Sequence, residues 1–223
     1  MLPVLDFTRM QANVSELESH FLELPSVEWK DGRPFATARL TERYSRVLEN
    51  LAITKDKAVA ELPIAKGRET IAYKNPTTAR YSSYSAFLLS PITLPLFFAI
   101  RETYRHLLRA IGEKPVPRYM QCWYNVHRCG QSLVRHKHPY PFIGTFSAHA
   151  ENSETRYGRT RETSDLDVIV KHVTGRLMVT TGDGNYHETS VWCDSARARV
   201  TYAFDIVNHG QWNNRQIFLP FDS

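Results

Sequence analysis

Gly130-Gln-Ser-Leu-Val-Arg-His136-Lys-His138-Pro139, with Phe142-Ile-Gly-Thr-Phe-Ser147 close behind it, is the stretch that decides how this chain reads. Two histidines at i and i+2 leave the same face of an extended strand, so both imidazoles can enter one cavity. A third histidine, His187, comes well downstream, and Arg199 follows it. A distant imidazole can close a metal site begun by a His-x-His pair. An arginine beyond it can grip an anion by paired, charge-assisted hydrogen bonds.

The segments around this stretch are short alternating runs separated by Gly, Asn and Asp turns: Tyr119–His127, Ser132–His136, Phe142–Ala150, Leu166–Val173, Arg176–Thr181, Val191–Cys193 and Arg199–Val207. That pattern predicts a sandwich or barrel rather than a parallel α/β sheet. Residues 151–165 read as a charged loop. Composition changes at Lys114-Pro-Val-Pro117, and upstream the periodicity is helical. Val14, Leu17, Phe21 and Leu22 recur at helical spacing within residues 9–24, and Ala36 to Leu51 reads as a second amphipathic segment. Lys55 to Lys66 is mixed and exposed, and residues 70–86 are polar, with Pro76 marking a loop. After Pro95, the residues Leu96, Phe97, Ile100, Tyr104, Leu107, Leu108 and Ile111 form one helical face, which Gly112 caps and Pro115 stops. The expectation is an α+β protein: a mostly helical region over residues 1–115, packed on a β core over residues 116–223.

Bulk properties narrow the classes. The chain has 223 residues, 42% of them hydrophobic, enough for one large domain with a real core. Its formal net charge is +5, without a stripe of Lys and Arg interleaved with aromatics, so nucleic acid is not an expected partner. Cys122, Cys129 and Cys193 form no C-x-x-C pair and read as reduced thiols of a cytoplasmic protein. Met1 to Asp6 lacks the features of a signal peptide. The most apolar stretch, Phe87 to Ile100, is too short and too broken by Pro91 and Pro95 to span a membrane.

A catalytic Fe(II) centre takes imidazole and carboxylate ligands from one face and keeps open positions for substrate and oxygen. In the usual version a His-x-Asp or His-x-Glu pair supplies two ligands. Here His138 stands at the carboxylate position, and no Asp or Glu occurs between Lys114 and Ala150. The site therefore uses His136, His138 and His187, or two of them with water or an ion in the third place. Neutral imidazole in place of a carboxylate leaves the centre one unit more positive, which favours a dianionic cosubstrate and weakens the hold on the metal. The bland alternative is three histidines in surface loops. His127 and His149 flank the metal strands and read as satisfied or exposed histidines, with hydrogen bonding to a ligand as the other option. His20, His106, His172 and His209 show no constellation. Trp123, Tyr124 and Asn125 lie on a strand entering the same barrel and serve either the cavity or aromatic core packing.

With these residues the chain resembles the 2-oxoglutarate- and Fe(II)-dependent oxygenases. The resemblance is carried by Cys129-Gly-Gln-Ser-Leu-Val-Arg-His136-Lys-His138-Pro139 with Phe142 to Ser147, and by Gly175-Arg-Leu-Met-Val179, His187 and Arg199-Val-Thr201-Tyr-Ala-Phe-Asp205. It spans roughly residues 118–207, with a His-x-His-Pro form in place of His-x-Asp. It implies a double-stranded β-helix (jelly roll) core, with His136, His138 and His187 around Fe(II). Arg199 and Thr201 would then hold the distal carboxylate of 2-oxoglutarate, and O2 would be the second cosubstrate. Arg197, two residues earlier, is the competitor for Arg199, and Tyr124 and Asn125 are candidate cosubstrate contacts.

Three functions remain open on this reading. The first is a hydroxylase or desaturase acting on a small anionic or amino-acid-like substrate, in a pocket made basic by Arg128, Arg135, Lys137 and Arg199. The second is a cupin-like three-histidine metal enzyme that does not use 2-oxoglutarate. The third is a non-catalytic jelly-roll binding module.

Overall fold

The computed structural model describes residues 19–64, 77–182, 185–211 and 218–222. The chain enters as a β-hairpin, β1 (Phe21–Lys30) and β2 (Arg33–Leu40), then forms α1 (Glu42–Ala60), the short α2 (Ala86–Leu89) and α3 (Leu94–Ile111). Nine strands follow: β3 (Arg118–His127), β4 (His136–Lys137), β5 (Phe142–His149), β6 (Glu154–Gly158), β7 (Val168–Lys171), β8 (Arg176–Thr181), β9 (Tyr186–Thr189), β10 (Arg199–Asn208) and β11 (Leu219–Asp222).

The strands make two antiparallel sheets. The larger has the order β1-β2-β8-β5-β10-β3-β11, and the smaller β4-β9-β6-β7. From β3 to β10 the chain visits the larger, smaller, larger, smaller, smaller, larger, smaller and larger sheet, which is the winding of a jelly roll. The core expected from the alternating runs is therefore present.

Strand alternation sorts the larger sheet into two faces. On β10, Val200, Tyr202 and Ile206 join the main core with residues of the helices. Arg199, Thr201 and Ala203 line a cavity on the opposite side. The helices cover the core side. In α3, Leu96, Phe97, Ile100, Tyr104, Leu107 and Leu108 are buried at the predicted spacing, each worth about 1.5–3 kcal/mol when fully removed from water. Pro95 sits at its start and Gly112 ends it in the left-handed conformation at φ 72°. Helix α1 begins at Thr41, whose hydroxyl accepts from the Tyr44 amide at 3.3 Å. The Tyr44 hydroxyl donates to the Ile92 carbonyl at 2.8 Å and accepts from the Leu96 amide at 3.0 Å, tying α1 to the head of α3. Tyr202 reaches from β10 to the Leu48 carbonyl at 2.8 Å. A second cluster, Phe35, Ile143, Tyr157, Val168, Val170 and Met178, closes the space between the sheets at one end.

The first half departs from its expected helices at residues 21–40. The segments 9–24 and 36–51 read as helical, but Phe21 to Leu40 is the β1–β2 hairpin, and helix begins only at Glu42. Val14 and Leu17 lie outside the described residues, as does part of the expected loop 70–86. Asp31 and Gly32 turn the hairpin with φ of 49° and 66°, the mirror-image turn that an Asp-Gly pair accepts. β2 is paired on both sides, to β1 and to β8, and these long-range ladders outweigh the local helical spacing. Leu22 and Leu24 are exposed, so apolar spacing there does not mark a buried face.

Smaller differences follow the same logic. Residues 154–158 are β6 rather than loop, and Val191 to Cys193 is not a strand, although the Trp192 backbone bonds to Gly130 and Gln131. Among the described residues, no helix is long and apolar enough to cross a membrane.

Candidate metal and anion site

β4 and β9 are neighbours in the smaller sheet, and their register sets His136 directly opposite His187. His138 follows two residues after His136, and the ligand atoms of all three lie within 4.8 Å of one another. The three rings converge: His136 and His187 have centroids 4.3 Å apart, and His138 stacks on His187 at 5.1 Å and 23°.

Hydrogen bonding fixes which nitrogens of His136 and His138 meet the backbone and Asp205. His136 Nδ1 donates to the Val134 carbonyl at 2.8 Å, and His138 Nδ1 donates to Asp205 Oδ1 at 2.6 Å. With Nδ1 carrying the proton, a neutral ring keeps its lone pair on Nε2, and the two Nε2 atoms face each other 3.0 Å apart. Two acceptors at that distance repel unless a proton or a cation sits between them. His187 lines the same cavity, with its Nδ1 buried. Burial, and then the neighbouring His136 and His138, hold the His187 imidazole well below the usual histidine range, so it stays neutral. Three convergent imidazoles fit a first-row divalent metal such as iron.

The same cavity is lined on its other wall by Trp123, Asn125, His127, Arg199 and Thr201. In the β3–β10 ladder Arg199 pairs with His127 and Thr201 with Asn125. Arg199 is 2% exposed, and no carboxylate pairs with it among the described residues. It donates instead from Nη1 to His127 Nδ1 at 3.2 Å and from Nη2 to His172 Nε2 at 3.1 Å. Because arginine can only donate, both histidine atoms must be acceptors. His172 then carries its proton on Nδ1, which meets the Ser147 hydroxyl at 2.8 Å, while Thr155 Oγ1 lies 2.8 Å from Nε2. Burial, and secondarily Arg199, push His127 down to about 3 and His172 well below the usual range. Burial also lowers Arg199 to about 10, which leaves it charged at neutral pH. Arg199 Nε is buried and has no partner among the described residues. A buried guanidinium without a counter-charge is costly, and an incoming anion relieves that cost.

The remaining candidates separate cleanly. Thr201 lines the cavity and accepts from Asn125 Nδ2 at 3.4 Å, while Asn125 Oδ1 accepts from Thr78. Tyr124 does not reach the cavity. It lies between Trp123 and Asn125 on β3, so its side chain leaves the opposite face and packs with Tyr84 and Tyr202 in the main core. Arg197 precedes β10, is exposed, and holds both carboxylate oxygens of Glu49 at 2.9 and 3.0 Å. The expected basic wall is reduced to Arg199. Arg128 pairs with Asp56, Arg135 with Asp167 and Glu188, and Lys137 lies over the Tyr186 ring. None of these three lines the cavity.

Two residues of the site escaped the sequence reading. His172 lies in a loop and carries no local signal. Asp205 did carry one: positions 199, 201, 203 and 205 share a strand face, which puts its carboxylate on the side of Arg199. Asp205 is 1% exposed, and its Oδ2 has no partner among the described residues.

Solved structures share this arrangement of sheets. A prolyl-4-hydroxylase from Pseudomonas putida is 11% identical, with a TM-score of 0.52 over 79% of this chain and 88% of that one. A prolyl hydroxylase from Trichoplax adhaerens, in complex with a hypoxia inducible factor oxygen degradation domain peptide fragment, is 10% identical, with a TM-score of 0.52 over 91% and 93%. The chain has their jelly-roll fold. At these identities the likeness speaks for the fold alone. No family model and no curated protein matches the sequence.

Proposed function

We propose that this chain is an Fe(II)- and 2-oxoglutarate-dependent oxygenase that hydroxylates or desaturates a C–H bond of a small-molecule substrate. The observation that carries the proposal is Arg199, a buried cation without a counter-charge among the described residues, in the same cavity as three convergent imidazoles. His136, His138 and His187 would hold the iron, and Arg199 with Thr201 would hold the distal carboxylate of the cosubstrate. Bound together, iron and 2-oxoglutarate supply the activation of dioxygen.

The chain's own residues bind, orient and exclude water. Arg199 is held in place by His127 and His172, so its free edge needs no reorganisation to meet a carboxylate. Asn125 orients the Thr201 hydroxyl beside it. Trp123, Leu133 and Ile143 give the cavity apolar walls. With Arg128, Arg135 and Lys137 engaged elsewhere, Arg199 is the one arginine or lysine among the described lining residues. We assign it to the cosubstrate, which leaves an anionic group on the substrate without a partner of its own.

A second reading draws on the three-imidazole set itself: a cupin-like metal enzyme in which Arg199 binds the substrate directly. Anaerobic titration with Fe(II) and 2-oxoglutarate separates the two. The oxygenase reading expects a visible charge-transfer band in the wild type that Arg199→Ala abolishes. Stoichiometric iron without the band supports the cupin-like reading, and absence of iron binding refutes both.

A further inference from the structure

The position two residues after His136 lacks the carboxylate that would balance a divalent metal, and among the described residues the cavity lining contains no Asp or Glu. A carboxylate nevertheless stands one imidazole away. We propose that Asp205 is the positioning residue and charge partner of the metal centre, acting through His138. Its carboxylate holds His138 with the proton on Nδ1 and Nε2 turned to the metal, and supplies from behind the ring the negative charge that a ligating carboxylate would bring. This inference rests on the metal-site reading above.

Four observations carry it. The Asp205 Oδ1 to His138 Nδ1 bond is short, 2.6 Å, with Asp205 1% exposed, which is the geometry of a charge-assisted bond shielded from water. The ring has little freedom left: Trp123 stacks near-parallel to it at 6.0 Å and 11°, and His187 flanks it at 5.1 Å. Oδ2 of Asp205 is buried without a partner, a cost that nothing else in the described fold explains. Finally, Asp205 stands on the strand that carries Arg199, so β10 delivers both the cation for the anionic ligand and the anion for the metal.

A carboxylate behind a ligating imidazole fixes its tautomer and raises its basicity, and loss of such a partner weakens metal binding about 10–100-fold. The test is calorimetric titration of Co(II) into wild type, Asp205→Asn, His138→Ala and the double variant. Asn keeps the shape and an acceptor for Nδ1–H and removes only the charge. The expected result is a 10–100-fold weaker affinity in Asp205→Asn, a loss at least as large in His138→Ala, and no further loss when Asp205→Asn is added to His138→Ala. An unchanged affinity in Asp205→Asn overturns the proposal, even if thermal stability shifts. An equal loss in the His138→Ala background also overturns it, because Asp205 would then act independently of the imidazole. Either result leaves the oxygenase reading standing if the wild type binds metal. A wild type that binds no Co(II) overturns both. Should Asp205→Asn fail to fold, 15N NMR of the Zn(II)-loaded wild type decides. A protonated Nδ1 on His138 is expected, and a metal-bound Nδ1 refutes the assignment.

Discussion

The Arg199 guanidinium donates through Nη2 to His172 Nε2 at 3.1 Å, although the two lie on opposite walls of the jelly roll and 27 residues apart. With His127 on the other amino group, Arg199 is held between two neutral acceptors rather than by an acid, so its charge remains available. Removing the charge should therefore cost far more than removing a holder. In metal-loaded protein, Arg199→Ala is expected to weaken 2-oxoglutarate by about 100-fold, the scale of a charge-assisted contact. His172→Leu should weaken it roughly tenfold, with partial recovery in His172→Gln, which restores an acceptor. Calorimetry on the three variants checks the order.

Acid should loosen the fold through the same pair. His127 and His172 have folded pKa values lowered by burial and by Arg199, with Arg176 adding to the effect on His172. A histidine held down in this way stabilises the fold fully above its unfolded value near 6.5. That contribution is lost as pH falls toward the folded value, about 3 for His127. Each should add up to about 1.4 kcal/mol per pH unit to the slope below pH 6.5. Urea unfolding between pH 7 and pH 4 should show the decline, and His127→Gln should reduce it.

Tyr124 and Arg197 should be silent toward the cosubstrate. Tyr124→Phe removes a buried hydroxyl that has no partner among the described residues, so stability should hold or rise and 2-oxoglutarate affinity stay unchanged. Arg197→Ala breaks an exposed pair with Glu49 and should cost under about 1 kcal/mol in a denaturant titration.

Gly144 lies where β5 passes closest to its neighbours. A Cβ there would fall 2.2 Å from the Phe204 ring and 2.3 Å from the Met178 carbonyl, and the carbonyl belongs to the β5–β8 ladder and cannot swing aside. Gly144→Ala should cost about 1–3 kcal/mol or more, lowering Tm by roughly 2–4 °C per kcal/mol for a chain of this size. Calorimetric melting measures it.

Metal should stabilise the wild type and not His187→Ala. At a free metal concentration of about 100 times Kd the gain is about 2.7 kcal/mol, a Tm rise of roughly 5–10 °C that a chelator reverses. His187→Ala removes one of three convergent ligands and should abolish most of the shift.

Much of this architecture is legible locally. The face of α3, its stop at Gly112 and the strands β3, β5, β8 and β10 follow from spacing alone, because a helix or strand repeats its side-chain direction with a fixed period. The His136–His138–His187 trio is readable for the same reason, as an i, i+2 pair awaiting a distant partner. The β1–β2 hairpin was missed because its apolar residues fit a helix as well as a strand, and only the Asp31-Gly32 turn marked it. In the sequence Tyr124 groups with Trp123 and Asn125 as a candidate cosubstrate contact, although strand alternation sends its side chain to the opposite face, into the main core.

Read by itself, the sequence determined which residues share a face of β10: Arg199, Thr201, Ala203 and Asp205. What those residues meet was decided only by the tertiary structure. His138 finds its acid 67 residues away, and Arg199 finds His172 in a loop that no periodicity singles out. Backbone geometry sets direction within one strand. Which strand or loop lies opposite depends on how two sheets close around a common core, a choice made by long-range pairing and burial.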